Sequence, residues 1–146
     1  MLTRIDHVGI VCRDLGEAVE RYQSGLGLIL VNQEINEEQG VNEAMLQVAD
    51  APAGTSYVQL LEPLGPDTPV GRFLARRGEG LHHVAYGVTD ISAALASIGA
   101  TGIRLIDARP RHGSMGASIA FLHPAGLGGV LTELVEAKYR PPDRQN

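Results

Sequence analysis

"HVGIVCRDLGEAV", residues 7–19, recurs in the second half of the chain as "HVAYGVTDISAAL", residues 83–95. Each copy begins as an apolar run typical of a strand. After an aspartate suited to cap a helix, it continues as a stretch with one apolar face. The ends of the two halves match as well, because "VQLLEP" (58–63) aligns with "TELVEA" (132–137). The spacing of both pairs predicts an internal duplication.

The elements predicted around this duplication follow the same order in both halves. The first half has a helix at 14–27 and strand candidates at 4–12, 28–33, 43–49 and 56–62. The second half has a helix at 90–102 and strand candidates at 80–88, 103–107, 117–122 and 130–136. Between them, "DTPVGRFLARRG" (67–78) predicts a linking helix, with Pro69 in its first turn and Gly78 after its end.

We therefore predict one α+β domain spanning residues 1–146. It contains a first βαβββ module (4–64), a linking helix (65–79) and a second βαβββ module (80–138). Neither module can bury its sheet alone, so their strands are expected to form one curved, eight-stranded mixed sheet around a shared concavity. The polar tail from Arg140 onward is expected to be loose.

Polar side chains at matching positions of the two halves predict a metal site. His7 and His83 open the first strands, and Gln59 and Glu133 lie inside the last strands, where an unpaired polar group is costly to bury. Two imidazoles, a carboxylate and an amide suit a divalent ion. A single histidine on an apolar strand is more often a core or surface residue, but the matched pair favours ligands. Because neighbouring side chains alternate along a strand, His82 is expected to point away from the site that His83 faces.

Composition and charge exclude several classes of protein. The formal net charge is −5 and no Lys/Arg-rich block is present, which argues against nucleic-acid binding. The sequence contains no apolar run long enough to span a membrane. Cys12 is the only cysteine, so no internal disulfide can form. A reducing compartment, and hence a cytoplasmic location, is expected.

Several motifs give the sequence a resemblance to a known family. Over residues 4–137, "RRGEGLHHVAYGV", "FLHP" and "GVLTEL" resemble the vicinal oxygen chelate superfamily, which has the glyoxalase fold, and within it the methylmalonyl-CoA epimerases. The resemblance implies four metal ligands, which are His7, Gln59, His83 and Glu133. It also implies a catalytic glutamate at Glu43, an acyl-CoA thioester substrate and a homodimer. One departure is Ala125, where the family often has a lysine, so a CoA contact from that loop is in doubt.

The chemistry of such an epimerase matches these residue types. A proton is removed between a thioester and a carboxylate, an enolate forms, and a proton returns to the opposite face. A divalent metal stabilises the enolate oxygen as a Lewis acid. Cobalt is the expected metal, with manganese, nickel and zinc as alternatives that the ligand set also suits. Glu43 is the predicted first base and Glu133 the second, while Ser114 in the glycine-rich loop 110–118 could donate to the substrate carboxylate.

Two other functions remain open from the sequence. A glyoxalase I-like isomerase would share the ligand types and the enolate chemistry but act on a glutathione adduct. A small-molecule-binding resistance protein of the same fold would need no metal. An iron dioxygenase is less favoured, because its triad of two histidines and one carboxylate leaves three positions open and Gln59 would fill one of them.

Overall fold

The computed structural model describes residues 1–138, so the predicted loose tail and residues 139–146 of the predicted domain lie outside it. The strands are β1 (Leu2–Val11), β2 (Ile29–Asn36), β3 (Val41–Gln47), β4 (Tyr57–Pro63), β5 (Gly80–Val88), β6 (Arg111–His112), β7 (Ser118–Leu122) and β8 (Thr132–Glu136). The α-helices are α1 (Leu15–Leu26), α2 (Pro69–Arg77) and α3 (Ile91–Ala100). Short 3-10 turns cover Ser114–Gly116 and Pro124–Gly126.

Local side-chain caps explain where the helices begin. The carboxylate of Asp14 accepts the N–H of Glu17 at the start of α1, and Asp90 does the same for Ala93 in α3. Such caps satisfy amides that have no partner inside a helix. In α2, the cap is Thr68. Pro69 occupies the first turn of this helix, as the sequence predicted.

All eight strands form a single sheet in the order β2-β3-β4-β1-β5-β8-β7-β6. Within each module the first and last strands are parallel neighbours, β1 with β4 and β5 with β8. The modules join through the antiparallel pair β1–β5. This order confirms the predicted curved mixed sheet of two βαβββ modules, and it brings both duplicated histidine strands to the centre.

The helices leave one face of the sheet available for a site. On the outer face, Leu15 and Val19 of α1 pack on Leu46 and Leu60, and α3 packs in the same way on the second module. We call the opposite face, which carries Glu43 and Gln59, the inner face. Helix α2 covers one end of the inner face through Val70 and Phe73, which pack on Val11, Val41 and Leu61.

The predicted strand at 103–107 is wrong. Only an isolated bridge between Leu105 and Leu122 occurs there, and the sixth strand is Arg111–His112, inside the segment predicted as a loop. The N–H groups of Ile106 and Asp107 both reach the carbonyl of Phe121, which a regular ladder does not allow. Ile103 and Leu105 of this segment instead pack against the α3 core, so they are hydrophobic for packing rather than for strand pairing.

Among residues 1–138, no helix is both long enough and apolar enough to cross a membrane.

Candidate active site and metal centre

Three buried side chains from the two central strands and β8 converge on the inner face. The Nε2 atoms of His7 and His83 lie 3.1 Å apart. Glu133 places one carboxylate oxygen 3.5 Å from His7 Nε2 and the other 3.4 Å from His83 Nε2. Each residue can offer a ligand atom within 4.8 Å of the other two. The three groups can therefore bind one cation together.

Gln59 provides the fourth predicted ligand atom. Gln59 is buried in β4, where it pairs with Gly9 of β1. The Oε1 atom of Gln59 has no hydrogen-bond partner among residues 1–138. A buried carbonyl oxygen without a partner is costly. Its amide nitrogen, in contrast, contacts both Glu43 and Ser114. The orphaned oxygen and the histidine–carboxylate cluster together fit a divalent metal, which prefers such a mixed set of nitrogen and oxygen donors.

Glu43 lies beside this cluster in a hydrogen-bonded chain with Gln59 and Ser114. Gln59 Nε2 donates to Glu43 Oε2 at 3.0 Å and lies 3.2 Å from Ser114 Oγ. The Ser114 hydroxyl in turn donates to the other carboxylate oxygen of Glu43. Burial raises the pKa of Glu43 to about 7, although the Ser114 hydrogen bond opposes this rise. A carboxylate with this pKa is suited to exchange protons near neutral pH.

Glu133 is the second buried carboxylate of the site. Burial raises its pKa to about 7, and the neighbouring His7 opposes this shift. In His7 the balance differs: burial alone would lower the pKa, but the hydrogen bond to Asp6 and the charge of Glu133 raise it. Burial and the nearby His7 and His82 hold the pKa of His83 well below its usual range.

The loop that carries Ser114 spans from the second module to the first. Asn36 and Gln39 donate side-chain hydrogen bonds to the carbonyl of His112, at 3.3 and 3.0 Å. The N–H of Met115 donates to Glu34 at 2.7 Å. The loop is therefore fixed to the β2–β3 region of the first module, and it places the Ser114 hydroxyl against Glu43.

These groups line one cavity of about 610 Å³ on the inner face. His7, Glu43, Gln59, Ser114 and Glu133 all contribute to its wall. This volume is in the range of small-molecule sites. His83 does not line the cavity, but it lies next to His7 and Glu133. The structure thus brings together all six residues that the sequence predicted for the site. His123 does not belong to this group.

The expectation that His82 points away from the site is wrong. Gly9 pairs with His83 but Ile10 pairs with Leu81, so His82 is an extra residue in a β-bulge of β5. A bulge interrupts the alternation of side chains along a strand. As a result, the Nδ1 atoms of His82 and His83 lie only 2.9 Å apart.

The same irregularity occurs in β1, and it reveals a residue that sequence reasoning missed. Ile5 pairs with Tyr86 and His7 with Ala85, which leaves Asp6 unpaired in the ladder. Asp6 Oδ2 lies 2.8 Å from His7 Nδ1, and its other oxygen accepts from Arg4 at 2.6 Å. The signal was present in the sequence, since the two halves align Asp6 with His82 directly before the aligned histidines.

Gly9 is required by the close approach of the second histidine. A Cβ added at this position would lie 2.2 Å from His83 Cε1 and within 2.7 Å of both ring nitrogens. Because such a contact is far below van der Waals distance, only glycine leaves space for the imidazole in its present orientation.

The chain is similar to known proteins over most of its length. A family model described as the Glyoxalase/Bleomycin resistance protein/Dioxygenase superfamily matches residues 6–121. A methylmalonyl-CoA epimerase solved with methylmalonyl-CoA and NH4+ is 51% identical, with a TM-score of 0.90 over 94% of this chain and 96% of that one.

Two further relatives bear on the site. A glutamate-to-glutamine variant of the Streptomyces coelicolor methylmalonyl-CoA epimerase, in complex with 2-nitronate-propionyl-CoA, is 50% identical over 95% of this chain and 100% of that one, with a TM-score of 0.90. Other structures of that enzyme carry single substitutions of a serine or a glutamine. The ethylmalonyl-CoA/methylmalonyl-CoA epimerase of Cereibacter sphaeroides is 32% identical over 92% of this chain and 98% of its own.

Proposed function

Because the chain belongs to the Glyoxalase/Bleomycin resistance protein/Dioxygenase superfamily, and within it to the methylmalonyl-CoA epimerase family, we propose that it interconverts (2R)- and (2S)-methylmalonyl-CoA by a metal-dependent 1,1-proton transfer. The observation that carries this proposal is the pair of buried carboxylates, Glu43 and Glu133, in the wall of one cavity. Epimerisation needs a proton acceptor and a proton donor on opposite faces of one carbon atom.

The two carboxylates are suited to opposite faces because they come from different modules. Glu43 lies on β3 and Glu133 on β8, and the strands β4, β1 and β5 separate them in the sheet. An α-carbon held over the central strands would therefore have one carboxylate on each side. Burial raises the pKa of Glu43 to about 7, so this group can be found in either protonation state near neutral pH.

Glu43 is the proposed base that removes the α-proton from one epimer. Its two oxygens are held by Ser114 and Gln59, which fixes the direction of the carboxylate. Glutamate, serine and glutamine are also the residue types substituted in the similar Streptomyces enzyme crystallised with an acyl-CoA analogue. We also propose that Ser114, in the glycine-rich loop 110–118, contacts the substrate carboxylate.

The metal would be held by His7, Gln59, His83 and Glu133. Bound there, a divalent cation would act as a Lewis acid and stabilise negative charge that develops on the thioester oxygen. Glu133 is the proposed second proton-transfer group, a role that it would share with metal binding. Two imidazoles with oxygen donors suit cobalt, the metal we propose, and also manganese, nickel and zinc.

The proposed substrate is an acyl-CoA thioester, as in the related structures that hold methylmalonyl-CoA or its analogue. We further propose that the protein is a homodimer and works in the cytoplasm. Cys12 is a buried free thiol whose pKa burial raises to about 12, and such a thiol is structural rather than reactive.

The direct experiment is incubation of the cobalt-loaded protein with (2R)- or (2S)-methylmalonyl-CoA in D₂O. We expect deuterium at C2 and loss of stereochemical purity from either epimer. His123 offers a matched control, because it lies outside the cavity and His123→Ala should react as the wild type does. If neither exchange nor epimerisation occurs with any of the four metals, while the hemithioacetal of glutathione and methylglyoxal is isomerised, the epimerase assignment is overturned.

A further inference from the structure

We propose that His82 is a positioning residue of the metal centre, where it accepts a hydrogen bond from Nδ1–H of His83 and so directs Nε2 of His83 toward the metal. The inference rests on the metal site proposed above. It goes beyond that site because it assigns a role to a residue that is not itself one of the ligands.

The β-bulge of β5 creates the contact. His82 has no partner in the β1–β5 ladder, and its ring therefore turns to the same side as that of His83, with 2.9 Å between the two Nδ1 atoms. Phe73 of α2 packs edge-on against the His82 ring, with 4.9 Å between centroids. The linking helix thus holds His82 in contact with its neighbour.

The positions of protons follow from what a metal ligand requires. Nε2 of His83 faces His7 and Glu133, so it must offer a lone pair to a cation, and a neutral imidazole then carries its proton on Nδ1. One proton lies between the two Nδ1 atoms. His82 must accept it, and His82 therefore has its own proton on Nε2. This arrangement fixes both tautomers and the orientation of the His83 ring.

The duplication supplies independent support. At the equivalent bulge of β1, Asp6 accepts from Nδ1 of His7 at 2.8 Å, and Nε2 of His7 faces the same site. Each ligand histidine is thus preceded by a bulged residue that contacts its outer nitrogen. A role in packing alone would explain the contact of His82 with Phe73 but not the repetition of a hydrogen-bond acceptor at both positions.

Substitution separates these two roles. His82→Phe keeps an aromatic ring against Phe73 but removes the acceptor, and His82→Asp installs the acceptor that the first module uses. His123→Phe is the matched control at a histidine outside the cavity. Cobalt affinity, measured by competition with a chelator, and the visible spectrum of bound cobalt are compared among the four proteins after circular dichroism confirms folding.

We expect His82→Phe to bind cobalt about 10- to 100-fold more weakly with an altered spectrum, as is typical when an outer partner of a ligand histidine is removed. His82→Asp and His123→Phe should remain close to the wild type. Wild-type affinity and spectrum in His82→Phe would overturn the proposal. A wild type that binds no cobalt would instead overturn the metal centre itself, and with it any role of His82 there.

A second measurement needs no variant. Long-range ¹H–¹⁵N spectra of the zinc-loaded wild type, which is diamagnetic, should show His83 as the Nδ1–H tautomer and His82 as the Nε2–H tautomer. The reverse assignment, with the proton of the shared contact on His82, would contradict the proposal even if His82→Phe failed to fold.

Discussion

The first strands of the two modules, β1 and β5, use one backbone device with different side chains. In β1 the bulged Asp6 contacts the ligand His7 and is itself held by the guanidinium of Arg4. In β5 the bulged His82 contacts His83 and is held by a ring-edge contact with Phe73. A duplicated backbone has therefore kept the position of each proposed ligand, while the support for it is ionic in one module and neutral in the other.

A second difference between the modules concerns the proposed base. Glu43 pairs with Leu61 in the first module, and the equivalent pair in the second is Ile119 with Val135. The second module thus has an apolar side chain where the first has a carboxylate. Conversely, Glu133 occupies the position that Gln59 has in the first module. The proposed metal ligands come from both modules, but the proposed base Glu43 has no counterpart in the second module.

The largest expected effect follows from removing the proposed histidine ligand of either module. His7→Ala and His83→Ala should each reduce kcat/KM by at least about 10³-fold, because a Lewis acid contributes several kcal/mol to such a reaction and ~1.4 kcal/mol equals a tenfold change. Metal content should fall in parallel. His123→Ala is the control outside the cluster. Equal metal content in the variants and the wild type would contradict the shared site.

The next effect concerns the asymmetry of the two modules. Glu43→Gln should lower kcat by about 10²- to 10⁴-fold, the usual contribution of a general base, and leave cobalt binding nearly intact. Steady-state kinetics and a cobalt titration on the same sample measure both. Ile119→Val, at the equivalent position, should change kcat little. A loss of metal together with activity in Glu43→Gln would mean that Glu43 acts as a ligand rather than as a base.

A smaller effect is expected where the two modules differ by one methyl group. Gly9 lies opposite His83, while its counterpart Ala85 lies opposite His7. Gly9→Ala would place a Cβ 2.2 Å from the His83 ring, so cobalt affinity should fall by about 10- to 100-fold as the ring is displaced.

The reciprocal change, Ala85→Gly, removes a side chain without a clash, so it should cost only about 1 kcal/mol of stability through backbone entropy. Chelator competition measures the affinity, and thermal unfolding of the metal-free proteins measures the stability. If both glycine–alanine exchanges gave the same small effect on cobalt binding, the close approach of His83 to β1 would not be a constraint.

The smallest effect is a pH dependence of stability in the metal-free protein. Burial raises the pKa of Glu43 to about 7, above the value near 4.5 of an unperturbed glutamate. The stability that this group contributes is therefore present below pH ~4.5 and is lost as the pH rises through ~7. The unfolding temperature should fall by on the order of a few degrees over this interval, and by less in Glu43→Gln. A rise over the same interval would contradict the shift.

Most of the fold could be predicted because its signals are local or repeated. Capping aspartates, alternating strands and the recurrence of one pattern led to the two modules and to the family, and both were confirmed. The segment 103–107 was misassigned because burial against α3 and burial in a strand produce the same apolar pattern. Only the hydrogen-bond ladder distinguishes them.

The candidate site was predicted as a set of residues but not as a network. The ligand set and Glu43 followed from matched positions and from the resemblance. The contribution of Asp6 and the inward turn of His82 did not, because a bulge breaks the two-residue period on which strand parity depends. The hydrogen bond between Ser114 and Glu43 joins residues 71 positions apart in different modules, so no local pattern in the sequence predicts it.

The most direct test is a crystal structure of the cobalt-loaded protein with anomalous data at the cobalt absorption edge. We predict one strong peak within bonding distance of Nε2 of His7, Nε2 of His83, a carboxylate oxygen of Glu133 and Oε1 of Gln59. Glu43 should be near the peak but not bonded to it. A peak elsewhere, or one that involves ligands from a single module, would contradict the claim that the two halves bind one shared ion.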